Sequence, residues 1–96
     1  MGHLIYGAYG TPIEFDDREL AHLQAVIISK LRRGESFALS FHSRDGGRTV
    51  LWLNDAIPLQ FVFSGSKMPT LSRQWLDALV LTSNEGAGLH LIPEPA

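Results

Sequence analysis

Residues 15–34, "FDDRELAHLQAVIISKLRRG", contain the most regular pattern in the chain and predict an amphipathic helix. Asp16 is a typical N-cap residue, and Glu19 three positions later completes a capping box. Basic residues near the end and Gly34 just beyond it are typical of a helix C-terminus. Apolar residues recur every three or four positions and form one stripe, which consists of Leu20, Leu23, Ile27 and Leu31.

The opposite face of this helix is polar and basic, and it contains Arg18, His22, Ser29 and Arg33. A stripe of positive charge can contact the phosphates of a nucleic acid. Lys30, Arg32 and Arg33 also suit the negative end of the helix dipole, and we favour that interpretation, although the stripe keeps nucleic-acid binding open. If the stripe binds nucleic acid, we expect the contacts to come from Arg18, Lys30, Arg32 and Arg33.

Alternating segments surround the helix and predict strands. The segments are "HLIYGAYGTPIEF" (3–15, two strands around a turn), "ESFALSFH" (35–42), "RTVLWLN" (48–54), "PLQFVFSG" (58–65) and "GLHLIP" (88–93). A second helix is predicted in "TLSRQWLDALVLTSNEG" (70–86), where Ser72 can act as the N-cap. The predicted order is therefore ββαβββαβ.

This order predicts an α+β fold in a single domain that spans residues 1–96. We expect two layers, in which one mostly antiparallel sheet of about five to six strands has both helices on one face. The predicted core consists of Leu23, Ile27, Leu31, Phe37, Leu39, Phe41, Phe61, Phe63, Trp75 and Leu79.

The composition is that of a small soluble globular protein. The 96 residues are 45% hydrophobic and 19% charged, and the formal net charge is −2. A slightly acidic chain argues mildly against a dedicated nucleic-acid binder, which usually has an excess of basic residues. The chain has no cysteine, no signal-peptide pattern at its start and no apolar run long enough to span a membrane. We therefore expect a cytoplasmic protein.

The stretch "HSRDGGR", residues 42–48, is the one that points most directly at chemistry. It resembles the Lys-x-Asp-Gly-x-Arg box of nucleotidyltransferases such as DNA ligases, because Asp45, Gly46 and Arg48 have the spacing of that box. However, Ser43 occupies the position of the lysine, and a serine offers no amine to attack a nucleotide. Asp-Gly-Gly between two alternating strands is typical of a tight turn. We therefore predict a hairpin turn and no catalytic residue.

Four segments together resemble a family of small uncharacterised bacterial proteins of about this length. The segments are "LIYG", "EFDDRELAHLQAVIISKLRRGESF", "IPLQFVFSGS" and "PTLSRQWLDAL", and they cover nearly all of the chain. Members of that family are often labelled "ATP-dependent DNA ligase", although they lack ligase motifs. The resemblance implies a stand-alone bacterial protein, and it supplies no catalytic residue.

The other candidate sites point to binding rather than to catalysis. His42 and His90 can meet on an open sheet face if their strands pair, but we favour the interpretation that they are ordinary exposed histidines, so we predict no metal and no cofactor. Several apolar residues lie off the predicted core stripes and can form an interface, namely Val26, Trp52, Leu76 and Val80. We expect a non-enzymatic binding or assembly module that forms a homodimer. The alternative is a DNA-binding accessory protein linked to DNA repair or ligation.

Overall fold

The computed structural model describes residues 1–43, 45–84, 86 and 88–95, and it confirms the predicted α+β class. Within these ranges the chain forms two helices and two three-stranded sheets. The elements, in chain order, are β1 (Gly2–Tyr6), β2 (Thr11–Phe15), α1 (Asp17–Arg32), β3 (Phe37–His42), β4 (Arg48–Leu53), β5 (Leu59–Val62), α2 (Arg73–Ser83) and β6 (Leu89–His90).

The first sheet has the order β2-β1-β5, and both of its strand pairs are antiparallel. Its central strand, β1, places Leu4 between Ile13 of β2 and Phe61 of β5. Leu4 is fully buried and belongs to the hydrophobic core, whereas its neighbour His3 is only partly covered. This alternation gives the sheet one buried face and one face toward solvent.

The second sheet has the order β4-β3-β6, in which β3 pairs with β4 antiparallel and with β6 parallel. Phe37, Leu39 and Phe41 of β3 all point into the core, as the alternation predicts. The two sheets meet through these side chains, since the rings of Phe15 and Phe41 pack edge to face with centroids 5.0 Å apart. The Tyr6 hydroxyl adds a polar link by donating a hydrogen bond to the Trp52 carbonyl at 2.8 Å.

The prediction of one sheet of five to six strands is wrong. The consecutive strands β4 and β5 belong to different sheets, and the connection between them turns where the Ile57 N–H donates to the Asn54 carbonyl at 3.3 Å. β5 pairs instead with β1, near the start of the chain. Alternation of apolar residues identifies the buried face of a strand but not the strand beside it, so the pattern does not reveal this partition.

The two helices pack against each other, α1 also packs against β1, and α2 also packs against β6. The predicted helix ends agree with the structure. The Asp16 N–H donates to the Glu19 side chain at 3.3 Å, the Trp75 N–H donates to the Ser72 hydroxyl at 3.2 Å, and Gly34 follows α1 with a φ of 74°. A positive φ is a conformation that glycine adopts without steric cost.

Seven of the ten residues of the predicted core belong to the buried hydrophobic cluster, and the other three, Leu31, Phe61 and Phe63, are partly buried and pack against it. Other members of the core were not predicted. They are Leu4, Phe15, Leu20, Ala21, Val26, Leu53 and Leu89.

Asp17 connects the start of α1 to the chain that follows β5. Its carboxylate accepts hydrogen bonds from the Ser64 N–H at 3.2 Å, the Ser64 hydroxyl at 2.9 Å and the Gly65 N–H at 3.1 Å. The backbone hydrogen bond from Ser64 is the main cause that lowers the pKa of Asp17 below its ordinary value of 3.8. The ionised carboxylate therefore anchors this connection.

We expect Asp17 to make folding stability depend on acid pH. Because its pKa is lower in the folded chain, its contribution is complete above the unfolded value near 3.8 and is lost as the pH falls below it through the lowered folded pKa. Asp17→Asn should therefore reduce the loss of stability in this acid range, as measured by denaturant unfolding at a series of pH values. Asp55→Asn, at an exposed position between β4 and β5, is the matched control. An unchanged acid slope in Asp17→Asn would contradict this role.

Candidate functional site

The outer face of the second sheet exposes large apolar side chains. Trp52 and Val50 of β4 point to this face and are 54% and 52% exposed. Trp52 lies directly opposite Ala38 of β3, so no bulky neighbour on that strand covers its indole ring. The sequence suggested Trp52 as an interface residue, and the structure places its side chain at the surface.

The groove between α1 and α2 is the second exposed apolar area. Val80 is 43% exposed and Leu76 is half-buried, and both line a hollow of about 180 Å³. Val26 lies at the same hollow but is only 4% exposed and belongs to the core. The expectation that Val26 lies off the core stripe is therefore corrected, because α2 packs over this side of α1.

These two areas adjoin each other on the protein. A neighbouring hollow of about 280 Å³ is lined by Trp52 and Ala38, and it shares Lys30 and Ser83 with the groove that contains Val80. Trp52 therefore lines one hollow, and Leu76 and Val80 line the hollow that adjoins it, although the three residues are distant in sequence. We call these three residues the Trp52–Val80 surface.

Three of the four predicted nucleic-acid contacts have carboxylate partners in the folded chain. Arg18 forms a bidentate ion pair with Glu94, with N–O distances of 2.8 and 2.6 Å. It also donates a hydrogen bond to the Thr70 carbonyl. The hydrogen bonds that Arg18 donates to Glu94 raise the pKa of Arg18, and they lower the pKa of Glu94. Arg18 thus ties α1 to the segment after β6.

Lys30 and Arg33 share one carboxylate at the end of α1. The Lys30 ammonium donates to Glu35 at 2.8 Å, and Arg33 donates to the other oxygen at 2.7 Å. Hydrogen bonds from Lys30 and then Arg33 lower the pKa of Glu35. Lys30 is buried, and its ammonium lies 5.2 Å from the centre of the Phe37 ring. Of the four, only the Arg32 side chain forms no hydrogen bond or ion pair with the residues that the structure describes.

His22 differs from its expected place on the polar face, because it is fully buried. Its Nε2 accepts the Ser72 N–H at 2.8 Å, its Nδ1 lies 2.7 Å from the Arg18 carbonyl, and its ring stacks on Trp75 with centroids 4.4 Å apart. This contact joins α1 to the N-terminus of α2. The sequence pattern places His22 on the polar side of α1 and does not predict that it links the two helices from a buried position.

The stretch that resembles a nucleotidyltransferase box lies in the β3–β4 connection, and Arg44 within it lies outside the described residues. The Gly46 N–H donates to the Ser43 carbonyl at 3.0 Å, and the Ser43 N–H donates to the Gly47 carbonyl at 2.7 Å. Asp45 accepts the Gly47 N–H, which is the main cause that lowers its pKa. The predicted turn is confirmed, and residues 45–48 are exposed.

His42 and His90 do lie on neighbouring strands, since β3 and β6 pair. Both line a small hollow of about 50 Å³ with Arg48. Within the described ranges there is no group of three or more histidine, cysteine, aspartate or glutamate residues that could hold a metal ion. The described helices also include none that is long and apolar enough to cross a membrane.

Comparison with known proteins gives a family and no activity. Residues 1–94 match the family described as "Domain of unknown function (DUF7882)". The comparisons with curated proteins and with solved structures found no match. Because the match covers almost the whole chain, this protein belongs to the DUF7882 family.

Proposed function

We propose that the protein is a non-enzymatic assembly module that forms a two-fold homodimer through the Trp52–Val80 surface. The observation that carries the proposal is the exposure of Trp52, at 54%, beside a groove that exposes Val80. Exposed apolar patches of this kind usually mark contacts with a partner. Closed two-fold dimers are the commonest oligomers, so a second copy is the first partner to test.

The character of the residues supports an interface at this place. Tryptophan is enriched among the residues that contribute most to binding, because its large ring is removed from water when a partner covers it. The charged residues that line these two hollows, Lys30, Arg33 and Glu35, form one ion-paired cluster with N–O distances of 2.8 and 2.7 Å. A partner that covers this area therefore buries paired charges rather than an isolated one.

We expect the double substitution Trp52→Ser and Val80→Ser to weaken self-association by at least about 2 kcal/mol, which corresponds to roughly a 30-fold higher dissociation constant. Sedimentation equilibrium over a range of protein concentrations measures this constant. The matched control is Val62→Ser, which removes a valine of similar exposure, 39%, from the outer face of the other sheet.

A wild-type protein that remains monomeric at high micromolar concentration would refute the proposal. An equal loss of association in the control would also refute the Trp52–Val80 surface as the interface. Circular dichroism of each variant separates a loss of folding from a loss of association, and the substituted side chains are exposed, so we expect all variants to fold.

The DNA-binding alternative has weaker support. Arg18 and Lys30 are engaged with Glu94 and Glu35, so a phosphate would have to compete with carboxylates at short distance. The formal net charge of −2 adds no general attraction to DNA. The description of the matching family names no activity, so the ligase label rests on the resemblance alone.

A further inference from the structure

The strands at the sheet edges differ in how well their backbone groups are protected. Unpaired N–H and C=O groups at an edge attract further strands, and proteins usually block them. In β2, Pro12 has no N–H to offer. In β4, the Trp52 carbonyl accepts the Tyr6 hydroxyl, and β6 is only two residues long, with the His90 N–H bonded to Thr82 at 3.0 Å.

β5 is the edge strand that lacks such protection within the described part of the chain. The Gly7 N–H donates to the Pro58 carbonyl at 3.0 Å, and the antiparallel register continues with the pairs Ile5–Gln60 and His3–Val62. Because hydrogen-bonded positions alternate along an antiparallel strand, the backbone groups of Leu59 and Phe61 point away from β1. They form a free edge with two donors and two acceptors.

An apolar cleft of about 410 Å³ lies beside this edge, between β5 and α1. Its apolar lining consists of Ile28, Leu31, Ile57, Leu59 and Phe61. Its polar lining consists of Arg32, Asn54 and Asp55. The Arg32 side chain forms no ion pair or hydrogen bond in the described part of the chain, with Asp55 or with any other residue. We call the free edge of β5 and this cleft together the β5 groove. It combines a directional set of backbone groups, an apolar floor and an unpaired positive charge.

We propose that the β5 groove binds an extended segment of another protein, which adds to the first sheet as a fourth strand. The backbone of the segment would bond to Leu59 and Phe61, and its alternate apolar side chains would cover Ile28 and Leu31. A carboxylate on the segment would pair with Arg32. A helix cannot satisfy the free edge of β5, because its own backbone groups are already bonded within it.

This inference concerns a different surface and a different partner from the homodimer proposed above. Random peptides displayed on phage, selected on the wild-type protein, provide the probe. We expect the enriched sequences to alternate apolar and polar residues and to carry an aspartate or glutamate. Synthetic copies of the enriched peptides should then bind Arg32→Glu and Ile28→Asp at least about tenfold more weakly, the equivalent of losing one good contact.

Two controls match these variants. Arg48→Glu makes the same charge change at an exposed position of β4, and the double substitution Trp52→Ser and Val80→Ser alters the other surface. Both should bind the peptides like wild type. Hydrogen exchange followed by NMR adds a structural readout, because bound peptide should protect the amides of Leu59 and Phe61, whereas those of Gln60 and Val62 already bond to β1.

Three outcomes would overturn the inference. One is that no peptide is enriched. Another is that enriched peptides bind Arg32→Glu and Ile28→Asp as tightly as they bind Arg48→Glu, or leave the exchange of Leu59 and Phe61 unchanged. The third is that Ile28→Asp abolishes self-association, in which case a second copy occupies the groove and no separate partner is needed.

Discussion

Replacing Trp75 with alanine is expected to lower the free energy of unfolding by about 3–5 kcal/mol, the range for removing a large buried aromatic side chain. Trp75 is only 2% exposed and belongs to the central hydrophobic cluster. Its indole N–H also donates to the Ile92 carbonyl at 3.0 Å, and its ring stacks on His22. Alanine would therefore leave a cavity, an unpaired carbonyl and an uncovered imidazole.

Chemical denaturation of the purified variant measures this change, and Trp75→Phe is the matched control. Phenylalanine keeps an aromatic ring in the core but cannot donate to Ile92, so its cost should be nearer about 1–2 kcal/mol. A Trp75→Ala variant that loses less than about 1 kcal/mol would show that the ring is not packed as described, because core truncations of this size cost far more.

Replacing His22 with alanine should destabilise the fold by about 2–4 kcal/mol, because it leaves buried backbone groups without partners and removes packing. Since Nε2 accepts the Ser72 N–H, the ring carries its proton on Nδ1 and donates it to the Arg18 carbonyl at 2.7 Å. The imidazole thus links the first turn of α1 to the N-cap of α2. No solvent reaches it to replace the lost bonds, since His22 is fully buried.

His42→Ala is the control for this substitution, because His42 is exposed at the end of β3 and its loss should change stability by less than about 0.5 kcal/mol. Combining His22→Ala with Trp75→Ala tests whether the stacked rings act together. A combined loss smaller than the sum of the single losses is expected for residues in contact. Equal, small losses in His22→Ala and His42→Ala would contradict a bridging role for His22.

Local features of the fold could be predicted from the sequence because short-range chemistry determines them. Gly34 follows α1, Ser72 caps α2, and the Asp45–Gly47 turn separates β3 from β4. Each of these depends on residues only a few positions apart. The buried face of β3 could also be predicted, since Phe37, Leu39 and Phe41 alternate with smaller or polar residues.

Features that depend on distant contacts could not be predicted in the same way. The pairing of β1 with β5 joins residues more than fifty positions apart, and the sequence of neither strand identifies the other as its partner. The burial of His22 and Lys30 follows from the packing of α2 and β3 over α1, which a helical projection of α1 alone does not include. The pairing of Arg18 with Glu94 likewise depends on the position of the segment after β6 in the folded chain.

The way in which the two sheets share the chain has a consequence for folding during synthesis. The β1–β2 hairpin is made first, but its third strand, β5, follows only after the whole β3–β4 hairpin has been made. The second sheet is completed only when β6 has been made. Neither hairpin has its third strand at first, so a nascent chain exposes the apolar faces of both hairpins until β5 and β6 have been made. Such long-range pairing slows folding and lengthens the time for which an unfinished chain can aggregate.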